Sequence, residues 1–317
     1  MKVIVIGAVG TTAITIEKLH EHAFEIVGVL GHEPLNKNRV AGLNNLRQIC
    51  ENLSLEYLGF QKINDFENLK WAKEKQADII FAVGFSQLLS SEWLNLTIKG
   101  CVGFHPTHLP RGRGRDPIAW SILEESKAAA NFSLIGQGAD DGPVFIQETF
   151  DILEDDDAES LIVKLRIAIR IALDKWLPKL KNDIWDPVPQ DDAKATYYGK
   201  REPCDSIINW KDNATRIDKL IKASTKPHDG AFTFFKDNFV IIWKSRVNKT
   251  HQIKGVVGRV LLIENNSYLV QCGENSSIWL DKIEIENNLV LKVGDKLGNI
   301  GDNNLDFFVN NKIWKKE

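Results

Sequence analysis

Nearly continuous aliphatic runs alternate with helical patterns over the first 110 residues, and this alternation limits the fold more than any other feature. Such runs are typical of strands that are buried on both faces of a sheet. The runs are residues 2–7, 24–30 and 77–84, and the helical patterns are residues 11–22, 43–53 and 64–75. Strands that alternate with helices predict an α/β fold with a Rossmann-like, mostly parallel sheet.

The length of the chain favours two domains, because 317 residues exceed a single typical core. In the second half, short strand-like runs between polar turns predict a small OB-like β-barrel. Those runs are residues 255–260, 268–273 and 277–280. The predicted organisation is an α/β domain at 1–182, a linker with prolines and acids at 183–194, and the OB-like domain at 195–317.

Several observations argue against a membrane protein or a disulfide framework. We expect no signal peptide, because the chain begins directly with a strand-like run. The most apolar helical pattern, residues 161–177, is interrupted by charges and cannot cross a bilayer. Its apolar spacing predicts a core stripe of Leu161, Leu165, Ile169 and Leu173, and Asp156 with Glu159 resembles a capping box at its start. The four cysteines are far apart and form no Cys-x-x-Cys pair, so they predict neither a zinc site nor disulfides. We therefore expect a cytoplasmic protein without a metal site.

A strand-like stretch that starts at Cys101 runs into the pair His105-Pro106. Proline favours extended geometry in the residue before it, so His105 should lie near the carboxyl end of a strand. Ligands of open α/β sheets bind at that edge, which makes a titratable side chain there a candidate for catalysis. The alternative is a histidine that only caps the strand.

An acidic turn at 134–144, which contains Asp140, follows about one helix and one strand later. The sequence His-Pro-Thr-x-Leu-Pro-x-x-Arg-Gly from His105, followed by Ala-Asp-x-Gly-Pro-Val from Ala139, resembles the folate-dependent formyltransferase family. That family includes the enzymes that formylate methionyl-tRNA, glycinamide ribonucleotide and amino sugars. The pattern at 195–232 resembles the carboxyl-terminal domain of the tRNA and sugar enzymes.

The resemblance implies that His105 and Asp140 are catalytic. Formyl transfer needs a group that accepts the proton of the attacking amine and a donor that stabilises the oxyanion. His105 suits the first task, and Asp140 would orient its imidazole. The family normally supplies the oxyanion donor from an asparagine two residues before the histidine, where this chain has Gly103.

This glycine leaves two interpretations open. Another donor holds the oxyanion, with Gln87, His108, Asn131 or backbone N–H groups as candidates, or the protein binds its ligands without transferring a group. We favour retained activity, because His105 and Asp140 are both present.

The resemblance also implies a site for 10-formyltetrahydrofolate, the cosubstrate that donates the formyl group. In the family, residues that match the stretch after the strand 77–84 line the folate pocket, largely through backbone groups. A capped loop before a short helix would have the same sequence. The cosubstrate-binding residues that the match implies are Phe85, Gln87, Leu88, Leu89, Gly136, Ala139 and Asp140.

Three arginines separated by glycines, Arg111, Arg113 and Arg115, precede a proline that suits the first position of a helix. Because backbone N–H groups at a helix start favour anions, these arginines and Thr107 are candidates for binding a substrate that carries phosphate. A solvated basic loop is the alternative.

The charge distribution bears on which amine is the acceptor. Residues before Gln190 include 20 basic and 26 acidic side chains, and the remainder include 20 and 17, so the net charges are about −6 and +3. These mild charges argue against tRNA, which needs a surface that neutralises many phosphates. The Arg-Gly-Arg motif with Pro-Ile-x-Trp after it is closer to the sugar N-formyltransferases, which act on amino sugars carried on a nucleotide.

The sequence therefore predicts transfer of a formyl group from 10-formyltetrahydrofolate to the primary amine of a nucleotide-linked amino sugar. Such a product would serve O-antigen or other cell-surface polysaccharide biosynthesis. The alternatives are a methionyl-tRNA formyltransferase, a formyltetrahydrofolate hydrolase and a non-catalytic nucleotide-sugar binder. The sequence leaves open which sugar and nucleotide are used and whether the protein is a homodimer.

Overall fold

The computed structural model describes residues 1–36 and 42–298, and these residues form two compact units. The first unit consists of residues 1–117, 126–152 and 162–199. The second unit consists of residues 118–125, 153–161 and 200 onward. Residues 183–194, the predicted linker, belong to the first unit.

The first unit contains most of the strands and helices that the sequence pattern predicted. Its strands are β1 (Lys2–Gly7), β2 (Glu25–His32), β3 (Tyr57–Phe60), β4 (Ile79–Ala82), β5 (Cys101–Thr107), β6 (Arg113–Gly114), β7 (Ala128–Leu134), β8 (Val144–Phe150) and β9 (Tyr197–Tyr198). Its helices are α1 (Gly10–Glu21), α2 (Leu46–Asn52), α3 (Phe66–Glu74) and α4 (Ser91–Leu94). Helix α5 (Pro117–Leu123) lies almost wholly in the second unit, and α6 (Ala158–Lys181) begins there and continues in the first.

Seven of these strands form one sheet within the described residues, in the order β3-β2-β1-β4-β5-β7-β8. Strands β1 to β5 are parallel to one another. Strand β7 pairs antiparallel with β5, and β8 pairs antiparallel with β7. The interior of β1, from Val3 to Ile6, is fully buried, as a strand covered on both faces requires. The predicted α/β fold with a mostly parallel sheet is confirmed.

Helix α6 buries one apolar stripe, and its start differs from the prediction. The sequence predicted a capping box at Asp156 and Glu159, but Asp156 accepts a hydrogen bond from the Leu153 N–H instead. Reciprocal bonds join Asp157 and Ser160 over 3.0 and 2.9 Å. No helix in the described parts of the chain is long and apolar enough to span a membrane. The predicted core positions are all buried, namely Leu161, Leu165, Ile169 and Leu173.

The second unit is built on an antiparallel sheet. Its strands are β10 (Ala231–Phe235), β11 (Asn238–Val247), β12 (Val260–Glu264), β13 (Ser267–Gln271) and β14 (Ser277–Ile285), and α7 (Ala214–Ser224) accompanies them. The strands pair in the order β10-β11-β14-β13-β12. Ile217 and Ile221 of α7 share a buried core with Val240 and Leu280 of the sheet. A separate strand-rich unit was predicted correctly, and its assignment to the OB-like barrels stays a prediction.

Candidate functional site

Strand β5 carries His105 past the end of its parallel neighbour. Ala82, the last residue of β4, pairs with Gly103, so His105 lies two residues beyond the carboxyl end of β4. His105 is buried, with 5% of its surface exposed. Its Nε2 is 2.8 Å from the Gly112 carbonyl oxygen, and Nε2 must carry a hydrogen to bond an acceptor. Its Nδ1 is 3.3 Å from Asp140 Oδ2.

Asp140 reaches His105 from a turn that starts at the other end of β5. Because β7 is antiparallel to β5, the N–H of Ile135 meets the carbonyl of Cys101, over 2.8 Å. Cys101 and His105 are four residues, or about 13 Å, apart along a strand, so the turn folds back along β5. The Asp140 backbone has a φ of 52°, in the left-handed region that is sparsely populated by residues other than glycine. Its carboxylate accepts a second bond from the Gly114 N–H over 2.9 Å.

The two members of the pair differ in exposure. The His105 side chain is 6% exposed and the Asp140 side chain is 29% exposed. Both ring nitrogens face acceptors, a carbonyl and a carboxylate, so an attractive contact between Nδ1 and Oδ2 requires a proton between them. The pair can hold one proton, and the carboxylate is the part of it that a ligand can reach.

Residues 188–198, which we call the 188–198 segment, run alongside the Asp140 turn. Its first residue exchanges two backbone hydrogen bonds of 2.8 Å with Val144. The amide Nε2 of Gln190 donates to the carbonyl oxygens of Asp140 and Gly142, each over 2.7 Å. The backbone of Asp140, Gly142 and Val144 is therefore bonded to this segment.

The same segment is bonded to the loop that follows His105. Strands β6 and β9 form a two-residue parallel pair. Next to this pair, the hydroxyl of Thr196 accepts a bond from the Gly112 N–H over 2.9 Å. Gly112 is also the residue whose carbonyl meets the His105 ring, so the 188–198 segment and the imidazole are linked through one residue.

Arg113, predicted to bind substrate, is buried with 1% of its side chain exposed. Its Nη2 is 2.7 Å from Asp192 Oδ1, and its Nη1 donates to the Tyr197 hydroxyl over 2.9 Å. Its Nε and Nη2 donate to Gln190 Oε1 over 3.2 and 3.0 Å. The guanidinium thus bonds three side chains of the 188–198 segment, and this arrangement favours a structural role.

The other predicted substrate residues lie in two different environments. The side chains of Arg111 and Arg115 are exposed, and neither meets a hydrogen-bonding or ion-pair partner within residues 1–36 and 42–298. The Thr107 hydroxyl is buried, 2.8 Å from the Arg111 carbonyl and 3.2 Å from that of Gly112. The two exposed arginines are therefore the cations available to an anionic ligand, whereas Thr107 shapes the loop.

The predicted folate stretch follows β4 at the same edge of the sheet. Gly84, with a φ of 66°, turns the chain, and the Phe85 ring then packs 6.1 Å from the His32 ring and 5.6 Å from the Phe60 ring. Burial lowers the pKa of His32, so this ring is neutral near pH 7. The stretch therefore begins in an aromatic, uncharged environment.

Gln87 ties this stretch to the neighbouring loop rather than offering its amide to a ligand. Its Nε2 donates to the Gln61 carbonyl over 2.6 Å, and its Oε1 accepts from the Ile63 N–H over 2.9 Å. Leu89 is half-buried against the core, and Leu88 is 87% exposed. Backbone groups and the Leu88 side chain are what the stretch presents to a ligand.

The Gly136–Asp140 turn has a filled interior and an open outer side. A Cβ at Gly136 would lie 2.4 Å from Asp141 Oδ1, so a larger residue there would displace the Asp141 carboxylate. That carboxylate also accepts a bond from the Gly138 N–H over 3.1 Å. Ala139 is exposed and Asp140 is half-buried, so a ligand can reach both from the outer side of the turn.

At Gly103 the structure leaves little room for the asparagine that the family normally carries. A Cβ there would lie 3.0 Å from Ile135 Cγ1. Asn131, a candidate replacement donor, is fully buried and gives its Nδ2 hydrogens to the carbonyls of His105 and Thr107. The prediction that Asn131 is a candidate oxyanion donor was therefore wrong. Of the donors that the sequence suggested, His108 has no side-chain partner among the described residues.

Neither a metal cluster nor a reactive thiol accompanies the pair in the part of the chain that the structure describes. Cys101, at the start of β5, is buried, and burial raises the pKa of its thiol to about 12. Since the thiolate is the nucleophilic form, this cysteine is unreactive near neutral pH.

No pattern in the sequence indicates the contacts made by Gln190 and Thr196. Gln190 lies in the predicted linker and Thr196 at the start of the predicted C-terminal domain, and no periodicity surrounds either residue. The one available signal was the pair Tyr197-Tyr198, because adjacent aromatics favour strands.

Several solved structures share this fold. An N-formyltransferase from Helicobacter canadensis, solved with folinic acid and dTDP-3-aminofucose, superposes with a TM-score of 0.67 at 15% identity over 88% of this chain and 98% of its own. A sugar N-formyltransferase from a Shewanella species gives 0.59 at 17% identity, over 73% and 92%. A variant of HypX from Aquifex aeolicus gives 0.61 at 15% identity over 89% of this chain, which spans about half of HypX (45%).

Two family models match the sequence itself. The formyl transferase model matches residues 1–174, and the model of the formyl transferase C-terminal domain matches residues 200–297. The first match alone covers more than half of the chain, and it includes both His105 and Asp140. These matches confirm the resemblance that the two motifs indicated and the enzyme class that it implied. The chain belongs to the formyl transferase family.

Proposed function

We propose that the protein transfers the formyl group of 10-formyltetrahydrofolate to the primary amine of a nucleotide-linked amino sugar. The observation that carries this proposal is the contact between His105 and Asp140, 3.3 Å apart, beside two exposed arginines without partners in the described structure. The first feature suits proton transfer from an amine, and the second suits an acceptor that carries phosphate.

The residues around the folate stretch fit a reduced folate. The stretch after β4 offers backbone groups, an exposed Leu88 and a ring cluster that includes Phe85, which suit a flat, partly apolar pterin. The Gly136–Asp140 turn keeps its interior filled by Asp141 and leaves its outer side open. When bound, the cosubstrate supplies the formyl group: the acceptor nitrogen bonds the formyl carbon, the bond to N10 breaks, and an amine proton ends on N10.

His105 and Asp140 act as a pair in this proposal. The sequence predicted that His105 accepts the amine proton and that Asp140 orients the ring. Because both ring nitrogens face acceptors and Asp140 is the more exposed member, Asp140 instead would meet the acceptor amine, and the proton that it takes would be held between its Oδ2 and His105 Nδ1. The Gly112 carbonyl fixes the ring through Nε2, so the imidazole cannot rotate away from Asp140 without losing that bond. We assign oxyanion stabilisation to His108 and nearby backbone N–H groups, since Asn131 and Gln87 are committed elsewhere.

The acceptor is inferred from the open side of the site. Arg111 and Arg115 flank the His105 loop and present two cations to solvent, as recognition of a diphosphate requires. The Helicobacter canadensis enzyme of the same fold was solved with dTDP-3-aminofucose, which supports a nucleotide-linked amino sugar. We expect the reaction in the cytoplasm, in the supply of sugars for a cell-surface polysaccharide.

The arrangement of acids disfavours the methionyl-tRNA alternative. Each of the four acidic residues at 183–194 pairs with a cation of the first unit. The pairs are Asp183 with Lys99, Asp186 with Lys179, Asp191 with Lys194, and Asp192 with Arg113. A surface that neutralises its own cations is poorly suited to bind the phosphates of tRNA.

The test measures tetrahydrofolate release and formylated product with the wild-type protein. The acceptors are a panel of nucleotide-linked amino sugars, together with methionine-charged and uncharged tRNA. We expect turnover with one or a few of the sugars. Turnover only with charged tRNA, or release without any acceptor, would replace the proposal with the tRNA enzyme or the hydrolase, and binding without turnover would identify a non-catalytic binder.

A further inference from the structure

The amide of Gln190 is bonded at both of its ends inside the first unit. Its two Nε2 hydrogens meet the carbonyls of Asp140 and Gly142, each over 2.7 Å. Its Oε1 accepts from the buried guanidinium of Arg113 over 3.0 and 3.2 Å. Since these contacts use both hydrogens and the oxygen of the amide, its orientation is fixed.

The bonds from Gln190 support a residue whose backbone is in a sparsely populated conformation. Asp140 has a φ of 52°, in the left-handed region that few residues other than glycine adopt. Gln190 bonds the Asp140 carbonyl directly and the Gly142 carbonyl two residues later. Without these donors, the turn is free to relax towards a more common backbone conformation and to withdraw the carboxylate from His105.

The other end of the amide connects to the loop that holds His105. Arg113 belongs to β6, which pairs with β9, and its neighbour Gly112 bonds the His105 ring through the carbonyl. The next residue, Gly114, donates its N–H to the Asp140 carboxylate. One side chain of the 188–198 segment therefore connects the loop that bonds the imidazole with the turn that carries the carboxylate.

We infer that Gln190 is a positioning residue, which sets the distance and angle between His105 and Asp140 from within a stretch that resembles a linker. This inference rests on the proposed function, because it assigns Gln190 to the proton-transferring pair of that function. Gln190 touches neither ring nitrogen nor carboxylate, and it acts through the backbone of Asp140.

A Gln190→Glu variant distinguishes the role of the amide's Nε2 donor from that of its Oε1 acceptor. The glutamate carboxylate still accepts hydrogen bonds from Arg113. It has no Nε2 hydrogens to donate, and its second oxygen faces the carbonyl oxygens of Asp140 and Gly142. A Gln190→Ala variant removes both ends. The matched control is Gln48→Glu on the exposed surface of α2, where the same chemical change touches nothing near the site.

The first measurement is the dependence of rate on substrate concentration. We expect kcat of Gln190→Glu to fall about 10- to 100-fold, since a displacement near 1 Å between reacting groups costs that much. The KM values for folate and acceptor should change by less than about threefold, because no binding contact is removed. Gln190→Ala should behave similarly, and Gln48→Glu should match the wild type.

The second measurement needs no activity. The low-field N–H proton resonance of the His105 ring, assigned by its absence in a His105→Gln variant, reports the bonds to Gly112 and Asp140. We expect it in the wild type and in Gln48→Glu and expect its loss in Gln190→Glu. An unchanged kcat or an unchanged resonance in Gln190→Glu would overturn the inference. If the wild type formylates no acceptor, the proposed function fails, and the resonance alone decides the role of Gln190.

Discussion

Arg111, Arg113 and Arg115 are equally spaced in the sequence, but their side chains differ in exposure: Arg113 is buried, and the other two are exposed. Each arginine is separated from the next by one glycine, and an extended strand would place all three on the same face. The glycines prevent this, because Gly112 and Gly114 have φ values of 73° and 107°. The middle arginine is buried against the 188–198 segment, and the outer two point to solvent.

The difference divides the site into a built part and an open part. The built part comprises His105, Asp140 and the residues that bond them, with Arg113 among those residues. The open part comprises Arg111 and Arg115, which have no partner within the residues that the structure describes. A fixed pair of titratable side chains beside exposed cations is the arrangement expected where the protein supplies the geometry and the ligand completes the charges. Each prediction below alters one part and compares it with the other.

The largest effect is expected for Asp140→Asn, which removes the carboxylate of the built part at nearly constant size. We expect kcat to fall about 10²- to 10⁴-fold, the usual contribution of a group that transfers protons, with little change in KM. Steady-state kinetics beside an Asp155→Asn control, an exposed residue of the second unit, provides the check. A loss that appears in KM instead of kcat would place Asp140 in binding rather than in proton transfer.

The next effect is on stability and separates Arg113 from its neighbours. Arg113→Met removes the buried charge and leaves Gln190 Oε1 without its donor. We expect the free energy of unfolding to fall by about 2–4 kcal/mol, since bonds to charged buried groups are the stronger ones. Urea denaturation measures it, and Arg111→Met is the matched control, expected to change by less than about 0.5 kcal/mol. Equal losses in the two variants would mean that the arginines are equivalent after all.

A Gly103→Asn variant tests whether the built part tolerates the asparagine that the family normally carries at this position. The Cβ of a Gly103→Asn variant would press against Ile135 Cγ1, so we expect a loss of about 1–3 kcal/mol in unfolding free energy, as for other overpacked sites. Combined with Ile135→Ala, which removes Cγ1, the same Gly103→Asn change should cost less than it does in the wild-type background. If Gly103→Asn alone is as stable as the wild type, the space around Gly103 is larger than the contact with Ile135 indicates.

The smallest effects are expected in the open part. Arg111→Ala and Arg115→Ala should each raise KM for the phosphate-bearing acceptor about tenfold, which corresponds to about 1.4 kcal/mol of binding. Stability should stay within about 0.5 kcal/mol of the wild type, because both side chains are exposed. Acceptor titrations at two salt concentrations measure this, and a KM that responds to neither substitution would show that the phosphates bind elsewhere.

The sequence was informative where one physical rule determined the outcome. Buried aliphatic runs predicted the parallel sheet, and the apolar spacing of α6 predicted Leu161, Leu165, Ile169 and Leu173 as core. The two motifs also named His105 and Asp140, which the structure brings together. Their catalytic role stays a prediction.

Other features depended on contacts between distant parts of the chain, which no local pattern records. The antiparallel β7 sends the Asp140 turn back along β5, and that path could not be read from the turn's residues. From the sequence, the Asn131 amide is a possible oxyanion donor, but in the structure it donates its Nδ2 hydrogens to the carbonyls of His105 and Thr107. Gln190 lies between prolines and acids that are typical of a linker, and its partners are about 50 and 77 residues away in sequence.

The most direct test of the account is the formation of formylated amino sugar by the wild-type protein and by His105→Ala. The acceptor is the nucleotide-linked amino sugar that the panel identifies, and a thermal unfolding curve shows that the variant is folded. The account predicts product with the wild type and none above background with a folded His105→Ala. A folded variant that forms product at the wild-type rate would contradict the assignment of this site.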